Sequence, residues 1–320
     1  MKLVTINNTA QGSPGALLRS GDILHLGRAA APGTLEGWIP PGVRGILEAG
    51  EEGLAVVRQL VSRIEAAPAG FLAELKRSGA ITAAVATPLL APVPNPRLMV
   101  AAGLAFKSHL AEMAGTPAPA HPTGFMKSSN SITGPDAPIL IPPHANACVD
   151  YEGELAVVFG RTCHDVSAAY AMSFVAGYMA ANDVSARDWV KPVWEAKEPW
   201  QARQTWETNI MGKQFDSFTP LGPVLTTADE IPDVTALQIE TRLNGQVMQR
   251  APISDLIFSL AETIAHFSRW YTFQPGDILL TGTPAGVGVG RKPPVFMKTG
   301  DVIEVEISGV GILRNMLVPS

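Results

Sequence analysis

Two glutamates, Glu152 and Glu154, stand one residue apart in the run "VDYEGELAVVFG". Aromatic, aliphatic and β-branched residues fill most of this run, so the pattern predicts a β-strand. Side chains alternate along a strand with period two, and we therefore expect both carboxylates on the same face. Two like charges on a partly buried face repel each other and lose hydration, so the pair needs a stabilising partner.

A divalent cation would stabilise the pair. Asp183 in "AANDVSARDWV" offers a third carboxylate after the segment "SAAYAMSFVAGYMAAND", whose pattern of small and apolar residues predicts a helix. Mg²⁺ or Mn²⁺ accepts carboxylate oxygens and leaves further positions to water and substrate. The alternative is a solvated strand, because E-x-E pairs are common on protein surfaces, but the apolar flanks favour burial.

His109 and Glu112 stand three residues apart in "GLAFKSHLAEMAG", on one face if this segment is a helix. A carboxylate that orients a histidine fixes its tautomer and raises its basicity, as a general base requires. The alternative, which spacing alone favours, is a surface pair at a helix end.

Two isolated lysines and a glycine-rich run complete the set of candidate site segments. Lys127 in "PTGFMKSSNSITGP" and Lys213 in "NIMGKQFDSFTPLGP" lie in apolar and hydroxylic loops, although a lone lysine is ordinarily solvated. The run "LLTGTPAGVGVG" lacks the Lys-Ser/Thr of a phosphate-binding loop and no helical pattern follows it. We therefore exclude a nucleotide site there.

Composition limits the class of protein. The 320 residues are 46% hydrophobic and 17% charged, which suits a large core, and the net charge of −5 without a basic stripe argues against nucleic-acid binding. Cys148 and Cys163 are the only cysteines, a count that fits a reducing compartment. The amino terminus turns polar early and Thr and Pro interrupt the apolar runs, so we expect a cytoplasmic protein without a membrane partner.

The elements divide near residue 90. Residues 1–90 predict a small α+β domain, with a hairpin in "ALLRSGDILHLG" and a helix in "EEGLAVVRQLVSRIEAA", followed by a Pro-rich linker. Residues 91–320 are mostly short β segments, interrupted by helical patterns such as "ISDLIFSLAETIAHFSRW". These interruptions are too irregular for parallel βα repeats, so we predict a β-rich α+β fold whose catalytic domain is a mixed β-sandwich or rolled sheet.

Several separated motifs in residues 95–320 together resemble the fumarylacetoacetate hydrolase family. The resemblance of "DYEGELAVV" and "NDVSARD" implies that Glu152, Glu154 and Asp183 are metal ligands. The segment "KSHLAEM" is similar to the one that carries a catalytic His-Glu dyad, here His109 and Glu112.

The remaining motifs carry lysines and substrate contacts. The resemblance of "GFMKSSNSITGP" and "GKQFDSF" implies a catalytic Lys127 and a substrate-binding Lys213. The segments "RLNGQVMQ" and "LLTGTPAGVG" imply substrate contacts from Gln249 and Thr283. Residues 1–90 resemble the small extra domain of longer members, and the family resemblance also predicts a homodimer.

The resemblance implies a Mg²⁺- or Mn²⁺-dependent hydrolase that cleaves a C–C bond in a 2,4-diketo acid such as an acylpyruvate. Decarboxylation of an oxaloacetate-type 2-oxo acid and isomerisation are alternatives at the same metal site. A catalytically silent metal-binding protein is the non-enzymatic alternative, and the complete set of ligands, dyad and lysines argues against it.

One segment departs from the family pattern. Residues 189–211 form a longer insertion than usual and carry Trp189, Trp194, Trp200 and Trp206. This insertion is either a lid or wall for a bulky substrate or a packing loop at a subunit contact, and both interpretations stay open.

Overall fold

The computed structural model describes residues 1–30, 35–113, 116–189 and 195–320. The strands are β1 Lys2–Ile6, β2 Ser13–Leu17, β3 Asp22–His25, β4 Ile81–Ala83, β5 Leu89–Leu90, β6 Met99–Gly103, β7 Thr123–Met126, β8 Ile132–Thr133, β9 Ile139–Ile141, β10 Val149–Asp150, β11 Gly153–Phe159, β12 Val175–Asn182, β13 Ser185–Ala186, β14 Thr219–Thr227, β15 Gln238–Leu243, β16 Gln246–Pro252, β17 Ile278–Leu280, β18 Val302–Ile307 and β19 Gly311–Pro319.

Helices are fewer than strands in the described residues. The α-helices are α1 Leu26–Ala29, α2 Val43–Glu48, α3 Gly50–Glu65, α4 Ala69–Arg77, α5 Lys107–Glu112, α6 Ala168–Ala171, α7 Pro199–Met211 and α8 Leu260–Ser268. Short 3-10 helices cover Leu35–Trp38, Ala84–Ala86, Ser129–Ser131, Met172–Phe174, Arg187–Trp189, Ala228–Glu230, Val234–Ala236, Ile253–Asp255 and Gly288–Gly290. None of the described helices combines the length and the apolarity that a membrane-spanning helix requires.

The strands pair mainly antiparallel. In the described chain a 12-stranded sheet runs β4-β3-β2-β1-β14-β12-β11-β17-β6-β7, with β5 paired to β1 and β8 to β14. A five-stranded sheet runs β16-β15-β18-β19-β9, and β10 pairs with β13. The pairs β6–β17, β8–β14 and β9–β19 are parallel. The β-rich α+β prediction with mixed sheets is confirmed, whereas the boundary near residue 90 stays a prediction.

Local sequence signals account for several elements. The predicted hairpin is β2 paired antiparallel with β3. The predicted helix is α3, which has acidic residues in its first turn and Arg63 in its last, as the helix dipole favours. Helix α8 begins at a capping box in which the Ser259 hydroxyl accepts from the Glu262 amide and the Glu262 carboxylate accepts from the Ser259 amide.

The prediction of a helix over "SAAYAMSFVAGYMAAND" is wrong for most of the segment. Helix α6 ends at Ala171, and Val175–Asn182 forms strand β12 instead. This strand lies between β11 and β14 and is buried along its whole length. A strand that is buried on both faces shows no polar alternation, so its sequence is easily mistaken for a helix.

Strand β11 is also buried on both faces. Ala156 and Val158 belong to an apolar cluster with residues of α2 and α3, such as Leu47 and Leu60. Leu155, Val157 and Phe159 belong to a second cluster, formed with residues of α8 and the five-stranded sheet. The predicted alternation of side chains is present, but neither face of β11 meets water.

Candidate metal centre and active site

Three buried carboxylates converge at one end of β11 and β12. Glu152 precedes β11, Glu154 lies on it, and Asp183 follows β12. The register pairs Gly153 with Asn182, and the Asp183 amide donates to the Glu152 carbonyl at 2.9 Å. One oxygen from each of the three carboxylates lies within 4.8 Å of the others. The structure therefore brings together the three residues that the sequence marked as candidate ligands.

Two buried lysines neutralise part of this charge. Lys213 Nζ donates to Glu152 Oε2 and to Asp183 Oδ2, each at 2.7 Å. Lys127 Nζ donates to Asp183 Oδ1 and, at 2.7 Å, to the carbonyl of Lys213. Lys213 lies on a cavity wall, whereas the fully buried Lys127 side chain lies behind the carboxylates.

Sequence reasoning missed two members of the cluster. Arg187 donates to Glu152 Oε1, and its Nε donates to Asp150 Oδ2 at 3.0 Å. Both residues lie inside or beside the motifs that mark the ligands, so their charge and position were the available signals. Arg187 therefore links the ligand carboxylates to a fourth buried acid.

The three candidate ligands differ in their electrostatic surroundings. Burial raises the pKa of Glu154 well above its usual value, and the nearby Asp183 and Glu152 raise it further. Burial also opposes the ionisation of Glu152, but Lys213 and Arg187 outweigh it and lower the pKa of Glu152 to about 2. Among the described residues no ammonium or guanidinium group pairs with Glu154, whose Oε2 accepts from the Gly282 amide at 2.7 Å.

This donor set fits a hard divalent cation. All three candidate ligands offer carboxylate oxygen, which Mg²⁺ and Mn²⁺ prefer. Glu154 is buried next to two other acids and receives the least compensation from the cations of the chain. A bound cation would stabilise its charged form, so the residues present suit the metal that the sequence pattern implies.

The histidine and the glutamate of the predicted dyad meet on α5. His109 Nδ1 lies 3.2 Å from Glu112 Oε2. The Gly286 amide donates to both oxygens of Glu112, at 3.1 and 3.2 Å. A Cβ atom at Gly290 would lie 2.4 Å from Glu112 Cδ, so any other residue there would displace the Glu112 carboxylate. The carboxylate that orients His109 is itself fixed by backbone.

The glycine-rich segment 282–290 acts through its backbone amides. They donate to buried or partly buried carboxylates of the protein: Gly282 to Glu154, Gly286 to Glu112, and Gly288 and Val289 to Asp150. Amide donors stabilise ionised carboxylates, and here a single loop fixes acids from both the ligand cluster and the dyad. This loop is rich in glycine, as phosphate-binding loops are, but its amides donate hydrogen bonds to carboxylates of the protein itself.

The two predicted substrate contacts occupy different positions. Thr283 lines the cavity and its hydroxyl donates to the Gly153 carbonyl at 3.0 Å. Gln249 is 1% exposed, and its amide accepts from the Gly153 amide at 3.0 Å and donates to Thr283 Oγ1 at 2.7 Å. In the described structure Gln249 supports Thr283 from behind the wall.

A cavity of about 500 Å³ joins these groups. The acidic cluster and the dyad share it, since its wall includes His109, Glu112, Glu152, Asp183, Arg187 and Lys213. This volume lies within the range of about 300–1,000 Å³ typical of small-molecule sites. Histidine, ammonium and carboxylate groups therefore line one cavity of the size that suits a small molecule.

The described part of the Trp-rich insertion forms a wall of the cavity. Helix α7 contributes Asn209 and Ile210 to the lining, and Trp200 near the start of the helix is exposed. Trp194 and the side chains of Trp189 and Trp206 lie outside the described residues. The alternative of a subunit contact stays open.

Comparisons with known proteins agree with this geometry. The family model described as fumarylacetoacetate (FAA) hydrolase C-terminal matches residues 98–318. Oxaloacetate tautomerase FAHD2A, mitochondrial, of Homo sapiens is 40% identical over 280 residues, which are 88% of this chain and 81% of that protein.

The solved structures that cover the whole chain include two hydrolases. Fumarylacetoacetate hydrolase from Exiguobacterium antarcticum is 29% identical with a TM-score of 0.76, and each chain is covered to 100%. Maleylpyruvate hydrolase from Sphingobium sp. SYK-6, in complex with manganese (II) ion and pyruvate, is 25% identical with a TM-score of 0.73 and the same coverage.

The chain belongs to the fumarylacetoacetate hydrolase family, as its motifs predicted. It is an enzyme of this family, whose similar members include hydrolases, isomerases and oxaloacetate tautomerases.

Proposed function

We propose that this protein is a divalent-cation-dependent tautomerase of an oxaloacetate-type 2-oxo acid. The observation that carries the proposal is the His109–Glu112 pair on the wall of the cavity that also contains Glu152 and Asp183. A proton acceptor and a cluster suited to a cation then face the same substrate. The 40% identity to an oxaloacetate tautomerase supports this reaction over the other chemistries of the family.

Each of the site residues has a separate role in the proposed reaction. Glu152, Glu154 and Asp183 would hold the cation, which supplies Lewis-acid stabilisation of the negative charge on an enolate oxygen. His109 accepts the proton from C3 of the keto form, and the protonated imidazole or solvent then donates a proton to the enolate oxygen, which gives the enol. Glu112 keeps the imidazole oriented, and the Lys213 ammonium on the cavity wall favours negative charge nearby. Mg²⁺ and Mn²⁺ both accept this oxygen donor set.

Hydrolysis of a C–C bond in a 2,4-diketo acid is the second candidate. The same His109–Glu112 pair would take a proton from a water molecule that attacks the distal carbonyl. The likeness to a maleylpyruvate hydrolase over the whole chain favours it. Decarboxylation of oxaloacetate requires no general base, so the dyad gives it no support.

The test compares three rates of the purified protein with Mg²⁺: enol–keto interconversion of oxaloacetate, its decarboxylation, and cleavage of an acylpyruvate. We expect His109→Ala to slow the interconversion by about 10²–10⁴-fold, the usual contribution of a general base. Glu112→Gln falls between this variant and the parent, because it keeps a hydrogen bond to His109 but loses the charge.

His164 provides the matched control, because it is exposed and bonds to Thr272 outside the cavity lining. His164→Ala should retain the parent rate. A parent that cleaves acylpyruvate but leaves oxaloacetate interconversion at the uncatalysed rate would establish the second candidate instead. An unchanged rate in His109→Ala would remove the dyad from the mechanism.

The expected homodimer and the cytoplasmic location stay predictions. The similar oxaloacetate tautomerases of Homo sapiens and Bos taurus are mitochondrial, and this location is a property of those proteins.

A further inference from the structure

Lys292 differs from the other lysine and the arginine on the cavity wall. The Lys213 ammonium donates to two carboxylates and the Arg187 guanidinium donates to two more oxygens of the cluster. Lys292 also lines the cavity but is exposed, and no hydrogen bond or ion pair of its side chain occurs within the described residues. Its charge therefore remains free to pair with a ligand.

Exposure places Lys292 at the solvent-facing rim of the cavity. Glu152 and Asp183 are 7% and 1% exposed and form the floor, whereas a side chain that is both exposed and in the lining belongs to the rim. A ligand held at the floor by its 2-oxo acid group would extend toward this rim.

The other cations of the cavity wall are already paired with carboxylates of the protein. Lys213 contacts Glu152 and Asp183, and Arg187 contacts Asp150 and Glu152. A ligand carboxylate that lies apart from the candidate cation site therefore needs another cation, and Lys292 is the lysine of the lining without such a partner in the described residues.

Resting on the proposed function, we propose that Lys292 selects dicarboxylic 2-oxo acids by pairing with the carboxylate remote from the 2-oxo group. The ammonium is a compact charge on a flexible stem, so it reaches distal carboxylates on chains of different length. The pairing occurs at an exposed position, so its contribution is modest and screened by salt.

The test is direct binding of two stable probes to the Mg²⁺-loaded protein, measured by isothermal titration calorimetry. 2-Oxoglutarate and 2-oxopentanoate have the same five-carbon chain, and only the former has a distal carboxylate. We expect the parent to prefer 2-oxoglutarate and Lys292→Gln to weaken its binding about 5- to 10-fold, as for loss of one charge-assisted hydrogen bond. Binding of 2-oxopentanoate should change by less than about twofold.

Two further variants isolate the charge. Lys292→Arg should keep the preference, and Lys298→Gln should match the parent, since Lys298 is exposed in the same segment but absent from the cavity lining. The preference of the parent should shrink in about 0.5 M salt, where the screening length is a few ångströms.

If Lys292→Gln weakened the binding of both probes equally, the lysine would support the cavity wall instead of pairing with the distal carboxylate. This result would overturn the proposal. A parent that binds the two probes equally would overturn it as well. Because binding needs no turnover, a parent that prefers 2-oxoglutarate but leaves oxaloacetate tautomerisation uncatalysed would contradict the proposed function and leave this inference standing.

Discussion

The protein carries the E-x-E pattern at two places, and the two pairs have opposite surroundings. Glu152 and Glu154 are 7% and 1% exposed and face Asp183. Glu304 and Glu306 lie on β18, with side chains 27% and 40% exposed. The same spacing on a strand therefore serves a buried acidic cluster in one region and a surface network in the other.

The surface pair is satisfied by arginine and water. Arg242 Nε donates to Glu304 Oε2 at 2.9 Å, and its Nη1 donates to Glu306 Oε2 at 2.7 Å. Buried and partly exposed residues alternate along β18, with Val305 buried between the two glutamates, whereas every residue of β11 is buried. The comparison teaches that spacing places two carboxylates together, while burial and a third acid determine what they can bind.

The largest expected difference between the two glutamate pairs concerns the rate of turnover. Glu154→Gln keeps the shape of the side chain but removes the charge that we assign to the cation, and we expect turnover to fall by at least about 10³-fold, the equivalent of several kcal/mol of charge stabilisation. Glu304→Gln should leave turnover within about twofold of the parent, because a surface substitution rarely changes more. Similar losses in the two variants would remove the functional distinction between the pairs.

Lys213 in the buried cluster and Arg242 at the surface should also differ in their contributions to the free energy of unfolding. Lys213→Met leaves Glu152 and Asp183 facing each other without their shared ammonium. We expect the free energy of unfolding of the metal-free protein, measured by urea denaturation, to fall by about 3–5 kcal/mol. Added Mg²⁺ should restore part of this loss, because a ligand that binds only the folded state stabilises it. A decrease of less than about 1 kcal/mol would contradict the assignment of a buried charge network.

The smallest effect is expected at the surface. Arg242→Met removes the shared partner of Glu240, Glu304 and Glu306. These carboxylates stay hydrated, so the free energy of unfolding should fall by no more than about 1 kcal/mol, and by less in about 0.5 M salt. A loss as large as that of Lys213→Met, under the same urea protocol, would mean that burial does not separate the two regions.

The sequence predicted the chemistry of the site better than the elements that build it. The carboxylates and the His109–Glu112 spacing were recognisable because strand and helix periods act over a few residues. Strand β12 was mistaken for a helix because pairing on both edges and burial on both faces removed its alternation.

The supporting groups were harder to predict. Arg187 and Asp150 meet through the pairing of β10 with β13, where Asp150 pairs with Ser185. Their charge and their position near the ligand motifs were visible in the sequence, but the pairing that brings the two together was not. The glycine-rich loop offered backbone donors, but which acids they would meet depended on the packing of distant segments.

Direct titration of the metal-free protein with Mn²⁺, followed by electron paramagnetic resonance of the free ion, tests the central claim that Glu152, Glu154 and Asp183 form a cation site. We predict one ion bound per chain in the parent and in Glu304→Gln, and affinity weakened by at least about 100-fold in Glu154→Gln, since even the outer partners of metal ligands contribute 10–100-fold. Equal affinity in Glu154→Gln and Glu304→Gln, or no bound ion in the parent, would contradict the account.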